Sequence, residues 1–478
     1  MNTNKKSNRP KWIIFLSIIF LLILGLIANK GLKKRQLENK LQSYRDAGLP
    51  ATAAELEKWH KYPPEKQNAA LKVIQAASLF INWEEKPLPK DPSIDQMFPR
   101  LDPDFIIRSN NPPEDWDRKN AYFLPIIGKS LKPKPGESLD SVSVLYITEF
   151  LEDNAAAMTA LHQALQLNQS RLPIDYSPGI YAKVNVLNFP HSSERLQLLT
   201  LLHLENQLPE QAVITLIDSF KLPLILFREP MLVPYIGGIM CSARAVSNLE
   251  YTLNRYPLNH KLLNDINTTI SKLQSAQGLS YSLIGDRCGF SDALYQHDME
   301  SLFLFNPGLK KYMPLIEFIG LVEIDHLYIL EMLDQVRSVL DLPFHQRLQA
   351  AKTIEGQISN HSQLHIVFHA ALPSEAYTLM IERDLHYHTL LNLAQTALAL
   401  EHYRLDHHDQ LPDTLTDLIP DCLDAIPIDP FDGLPVKYKK THPGYTIYSV
   451  GPNLTDDNGI DFSTSDDILD ITFTVNRK

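Results

Sequence analysis

Seventeen consecutive residues without a charge, Trp12-Ile-Ile-Phe-Leu-Ser-Ile-Ile-Phe-Leu-Leu-Ile-Leu-Gly-Leu-Ile-Ala28, constrain this chain more than any other stretch. At the α-helical rise they span roughly 26 Å, close to the thickness of a bilayer core. Trp12 suits a membrane–water interface. A cleaved signal peptide shares the basic start and apolar middle, but its apolar core is shorter. No small-x-small cleavage site precedes the basic Lys33-Lys34-Arg35. The run therefore predicts a retained transmembrane helix over residues 12–28, preceded by a cytoplasmic basic tail over residues 1–11. Basic residues flank both ends, so charge asymmetry does not set the orientation. The short tail, too small to form a domain, favours an inside N-terminus. That places the body on the extracytoplasmic (periplasmic) face of a single-pass inner-membrane protein.

Charge sorts the chain into two parts. Residues 1–40 hold nine Lys or Arg and a single acid, Glu38, for +8. The whole chain carries −11, so the remainder carries −19. A body this acidic argues against a nucleic-acid partner, because phosphate binding needs clustered positive charge. The basic segment matches a bilayer surface, making the lipid bilayer the first expected partner. Three cysteines, Cys241, Cys288 and Cys422, form no CxxC pair. They suggest neither a zinc ribbon nor a disulfide framework, and their disulfide status stays open.

Beyond the anchor, residues 31–400 read as a multi-helix body. Thr52-Ala-Ala-Glu55 is a capping box that starts a helix after Pro50, and Pro63-Pro64 ends it. Asn68-Ala-Ala-Leu opens the next. Residues 86–136 hold ten prolines and no helical period, which predicts an irregular segment draped over the body. Helical spacing returns from Ser138 to about Leu400. The runs around Leu196–Leu202 and Val213–Phe220 are joined by Asn206-Gln-Leu-Pro-Glu210, an αα-hairpin signature and a hint of a hairpin array. After His408 the pattern changes. Lys437–Lys439, Tyr445–Val450 and Asp470–Val475 read as strands, with Tyr445, Ile447 and Ser449 alternating as on a half-buried strand. The expected class is mainly α: a transmembrane helix, a large helical body, and a small C-terminal α+β module over residues 401–478.

Spaced motifs in that module occur in a familiar order. They are Tyr403-Arg-Leu405, Leu411-Pro412, the short helix Leu415–Ile419, Pro427-Ile-Asp-Pro-Phe-Asp-Gly-Leu-Pro435, and Tyr448-Ser-Val-Gly451 ahead of an acidic loop. Over about 75 residues this resembles the soluble end of the major pseudopilin of type II secretion. The resemblance implies calcium in the acidic loop. Asp456, Asp457 and Asp461 are the candidate ligands, with Asn453 or backbone oxygens completing a shell of the size calcium needs. The anchor departs from the pseudopilin pattern: it has no prepilin-peptidase site and no acid within the helix. It reads as a permanent tether and not as a polymerisation element. The opening Tyr44-Arg-Asp-Ala-Gly-Leu-Pro-Ala-Thr-Ala-Ala-Glu-Leu56, with Trp59, Tyr62-Pro-Pro64 and Asn68-Ala-Ala70, resembles large membrane-anchored envelope proteins of planctomycete and verrucomicrobial type. That second resemblance implies location and architecture, and no activity.

Chemistry-bearing clusters are sparse. His361, His365 and His369 share one helical face, but positions i and i+8 lie about 12 Å apart and cannot share an ion. Asp384 and His388 can pair at i, i+4, which on most helices is a surface ion pair. Glu323, Asp325 and His326 offer acid–base groups. GxSxG, HExxH, GxxxxGK[ST] and GxGxxG are absent. The leading expectation is a non-enzymatic envelope scaffold with a protein partner, secretion-related through its module. The alternatives are an extracytoplasmic enzyme with a site in the helical body and a calcium-stabilised structural protein.

Overall fold

The computed structural model describes residues 11–81, 136–176, 186–295, 311–361, 375–460 and 470–477. Fourteen α-helices and one three-stranded antiparallel sheet are present among them, with helix at 68%, so the chain is mainly α as its periodicity demands. The proline-rich segment falls almost wholly outside the described residues.

Helix α1 (Lys11–Asp46) does not stop where the apolar run stops. It continues as one rod of 36 residues, about 54 Å long. Its apolar half is exposed all round, with Phe20, Leu21 and Leu22 each more than 60% accessible and none of that window buried in the body. A helix apolar on every face and uncovered by protein is suited to lipid. It is the one helix among the described residues long and apolar enough to cross a membrane. The other half is amphipathic. Leu37, Leu41 and Tyr44 recur at i, i+4 and i+7, and they bury against Leu327 and Leu330 of α12 (Leu321–Val339). Each of those buried side chains contributes roughly 1.5–3 kcal/mol of transfer free energy.

Polar contacts fix the register of this seam. Lys30 Nζ donates to the Glu317 carbonyl at 2.6 Å and lies 3.7 Å from Glu323. Further up, Lys40 reaches Asp334 at 2.6 Å, and the Tyr44 hydroxyl donates to the same carboxylate at 3.0 Å. The Arg287 guanidinium covers the Tyr44 ring at 3.7 Å. So α12 runs alongside α1, away from the apolar end. Between α11 (Met313–Ile319) and α12, Gly320 takes φ +82° and abuts Lys30.

The next elements follow their local signals. Thr52 Oγ1 accepts from the Glu55 amide and caps α2 (Ala53–Trp59). The Glu55 carboxylate reaches back to the Ala51 amide, one residue short of closing the box on Thr52 itself. Asn68 caps α3 (Ala69–Ser78) through its side chain. Helices α4 (Ser141–Asp153) and α5 (Ala155–Ala164) are separated at the buried Asn154. Their run buries Ile147, Phe150, Leu151 and Met158, whereas Leu145 stays 66% exposed. The expected hairpin is α6 (Asn188–Glu205) with α7 (Pro209–Leu226), proline sitting in the first turn. Against it pack α8 (Leu232–Arg255) and α9 (His260–Gln274), followed by α10 (Leu279–Tyr295). Helix α13 (Phe344–His361) packs on α14 (Glu375–Asp406).

After helix α14 a short 3-10 helix (Leu415–Leu418) and the Pro427–Pro435 loop lead to the sheet, β1 (Lys437–Lys440), β2 (Tyr445–Ser449) and β3 (Ile471–Val475), in the order β1-β2-β3. Tyr438 pairs with Ile447, and Ile447 with Phe473. One apolar core runs from α8, α9 and α14 through Tyr445, Ile447, Phe473 and Val475 without interruption. Hydrogen bonds repeat the join: Glu250 accepts from the Thr474 amide, and Asn254 donates to the Thr474 carbonyl. Strand β2 departs from the half-buried expectation, since all five of its residues are buried. It is the central strand; one face meets α14 and the loop after it covers Tyr448 and Thr446. All three cysteines are free, and burial pushes the Cys241 and Cys288 thiols up to about 12.

At Gly320 a Cβ would sit 3.0 Å from Lys30 Cβ, on backbone in the left-handed region. Gly320→Ala is expected to lower stability by about 1–2 kcal/mol. Thermal melts of the detergent-solubilised chain check this, with Gly356→Ala, in open space within α13, expected to gain about 0.5–1 kcal/mol as the opposite-sign comparison.

Candidate functional site

The acidic loop between β2 and β3 is the first candidate. Gly451, Leu454, Asn458 and Gly459 take positive φ and fold residues 451–459 tightly under β2. Asp456 Oδ1 accepts from the Asn458 amide at 3.0 Å and from the Tyr448 hydroxyl at 3.2 Å. Its Oδ2 faces Lys437 Nζ at 3.1 Å. Slight desolvation works against ionisation there, but the Asn458 amide, Lys437 and Tyr448 outweigh it and hold the carboxyl below the usual carboxylate range. Asp457 Oδ2 accepts from the Asn453 side-chain amide at 3.1 Å. Asp461 lies outside the described residues.

These donors bear on calcium directly. A calcium ion needs free oxygens pointing at one centre. Asp456 already has a lysine ammonium against one oxygen and two hydrogen-bond donors on the other, and Asn453 turns its NH₂ toward Asp457. No group of three or more His, Cys, Asp or Glu among the described residues is arranged to hold a metal ion. Among the described residues, Asp456 is held by Lys437, Tyr448 and the Asn458 amide, and Asp457 by Asn453.

The carboxylate that organises this loop is Asp470, which the sequence reading passed over as the first residue of a strand. It is fully buried. Its two oxygens accept from the Gly459 amide at 2.7 Å and the Asp457 amide at 3.3 Å. Asp429, inside the Pro427–Pro435 loop, plays the same part on the other side. It accepts from the Phe431 amide, the Ser449 hydroxyl and the Val450 amide at 2.8–3.0 Å. Burial raises both carboxyls, and the amide donors counter it. A lone Asp beside proline or before an apolar strand was the only available signal.

The helical body holds three further clusters. Asp384 and His388 do pair across one turn, at 3.6 Å, but not on the surface. Asp384 is 2% exposed, accepts from the Tyr235 hydroxyl of α8, and faces Arg347 of α13 at 3.4 Å. Burial lowers His388 and Arg347 and raises Tyr235. The cluster ties three helices together with its carboxylate sealed from substrate. In the second, His326 is buried and meets the Ser291 hydroxyl of α10 at 3.0 Å. Desolvation brings its imidazole down to about 4, so it is neutral at physiological pH. Glu323, three residues away, faces Lys30 of the anchor instead. The third was not legible in sequence: buried Glu229 accepts from the Tyr176 hydroxyl at 3.1 Å and the Leu172 amide, and contacts His60 at 3.2 Å. Its partners come from segments 53–169 residues away. His365 and His369 lie outside the described residues, as does the side chain of His361.

A small, mostly apolar hollow with room for about one water lies between α12, α13 and α14, lined by Val336, Val339, Ala351, Ile354, Tyr377 and Ile381 together with Glu355 and Thr378. None of the three polar clusters lines it. No family model matches the chain, and no curated protein or solved structure matches it.

Two outcomes follow from these geometries. The folded state holds His326 neutral down to about pH 4, whereas an unfolded histidine protonates near 6.5. Its contribution is full above pH 6.5 and is lost as pH falls toward 4, to a ceiling of about 3 kcal/mol. The difference in melting temperature between the parent and His326→Gln should therefore shrink on acidification from pH 7 to pH 4. In the module, Asp470→Ala removes the acceptor of the part-buried Asp457 and Gly459 amides and should cost about 1–3 kcal/mol. Hydrogen exchange at Asp457 and Gly459 would rise with it.

Proposed function

We propose that this protein is a membrane-anchored envelope scaffold, with its body on the extracytoplasmic side and a protein partner docked on it. The observation that carries the reading is the uninterrupted α1. An enzyme on a tether needs only a flexible leash, whereas here the anchor is itself a core element of the body. Leu37, Leu41 and Tyr44 belong to both. Such a join holds the body at a set height and rotation relative to the bilayer, as a positioning role requires. The polar clusters described above are consistent with this, since each ties distant segments together and Asp384, Glu229 and His326 are all closed to solvent.

The motif resemblance adds that the C-terminal module serves a secretion-related assembly. Its continuous core with α8 and α14 supports a module that docks as part of the whole body. Surface changes, not deletion of residues 409–478, are therefore the suitable probes.

On this reading the full chain stays with membranes through alkaline carbonate washing, and cross-linking in intact membranes traps a stoichiometric protein partner. Charge-reversal of exposed module residues such as Asp421 and Asp424 is expected to weaken that cross-link about ten-fold without loss of folding. Release by carbonate, or a chain that remains partner-free after cross-linking, would overturn it.

A further inference from the structure

Helix α11 presents an apolar face that nothing among the described residues covers. Tyr312, Leu315 and Phe318 recur at three-residue spacing and are 51%, 57% and 44% exposed. Ile316, on the other side of the helix, is buried in the main core at 5%. Three large apolar side chains in one row are unusual on a surface that faces only water.

The position of α11 along the anchor identifies what covers this face. Lys30 follows the end of the apolar run, Ala28, by two residues. The Lys30 ammonium donates to the Glu317 carbonyl within α11, and the backbone of Gly320 abuts Lys30 Cα and Cβ. Helical side chains lean toward the N-terminus, here toward the bilayer. Lys30 therefore holds α11 at or below its own level, beside the last turn of the apolar run. From Gly320, α12 then climbs away from the bilayer alongside α1. The rim is cationic. Lys34 and Lys311 are exposed, Lys33 is partly so, and Lys311 lies 4.8 Å over the Tyr312 ring.

We propose that α11 is an interfacial helix: Tyr312, Leu315 and Phe318 lie in the headgroup region of the same bilayer that α1 crosses, with the flanking lysines on anionic headgroups. Aromatic residues beside lysines are what that zone selects. The body thus touches the membrane at two points, α1 and α11, clamped together by Lys30 and Gly320. This rests on the reading of α1 as a membrane anchor.

The test uses the full chain reconstituted into vesicles of phosphatidylcholine and phosphatidylglycerol. Phe318→Trp places an indole in the row, and Leu145→Trp places one at an exposed apolar position of α4, a helix that packs on α5 and α6. Emission of the parent, with its native tryptophans, is subtracted. The indole at position 318 is expected to be quenched by brominated lipid about two-fold or more above the one at 145, and to resist aqueous acrylamide. Quenching by acrylamide alone would overturn the proposal. Shielding from both quenchers would also overturn it, showing that protein, such as a second copy, covers the row. A chain that fails to float with the vesicles would sink the anchor reading itself, and this proposal with it.

Discussion

The seam between α1 and α12 is the constraint on which the rest of this structure depends. One helix has to satisfy two solvents. Its first half is apolar on every side and uncovered by protein among the described residues, and its second half shows a single stripe to protein. A flexible joint between the halves would have separated these requirements. Instead the helix runs through Lys30 and Lys33 unbroken, so any tilt of the apolar half is carried into the body.

That rigidity is continued by closed polar ties. Arg287 donates to the Pro50 carbonyl and covers Tyr44, locking the turn after α1 onto α10. Asp292 accepts from the Ala53 amide and continues the lock into α2. Glu229 and Asp384 then tie segments far apart in sequence. At the C-terminal end Glu401 accepts from Tyr445 and pairs with Arg477, closing α14, β2 and the chain end on each other. Buried carboxylates recur at each join, and each meets donors that offset its desolvation. Their placement joins segments distant in sequence.

Local signals were readable where the interaction is local. The apolar run, the Thr52 and Asn68 caps, the turn at Pro209 and the three strands all depend on neighbours within a few residues, and all are where their patterns place them. The candidate-site reading fared differently. Asp456 and Asp457 were conspicuous because acids next to one another in a turn suggest a cation; their contacts with Lys437 and Asn453 became visible only in the fold. Asp470, which holds the loop, was inconspicuous because its partners are amides, and an amide leaves no mark in a sequence. The i, i+4 spacing of Asp384 and His388 described their pairing, but the burial that makes it a three-helix tie is supplied by Tyr235 and Arg347 from other helices.

The sequence by itself determined that one helix is long and apolar enough to cross a membrane, that the body is helical, and that a small antiparallel sheet lies near the C-terminus. Each follows from the period of apolar residues, a property of consecutive positions. Only the tertiary structure decided that the anchor does not end at Ala28 but becomes part of the core. The reason is physical: the charges of residues 30–40 mark a lipid boundary equally well whether the helix beyond it is free or packed. What settles the matter is the stripe of Leu37, Leu41 and Tyr44 finding Leu327 and Leu330 almost three hundred residues later.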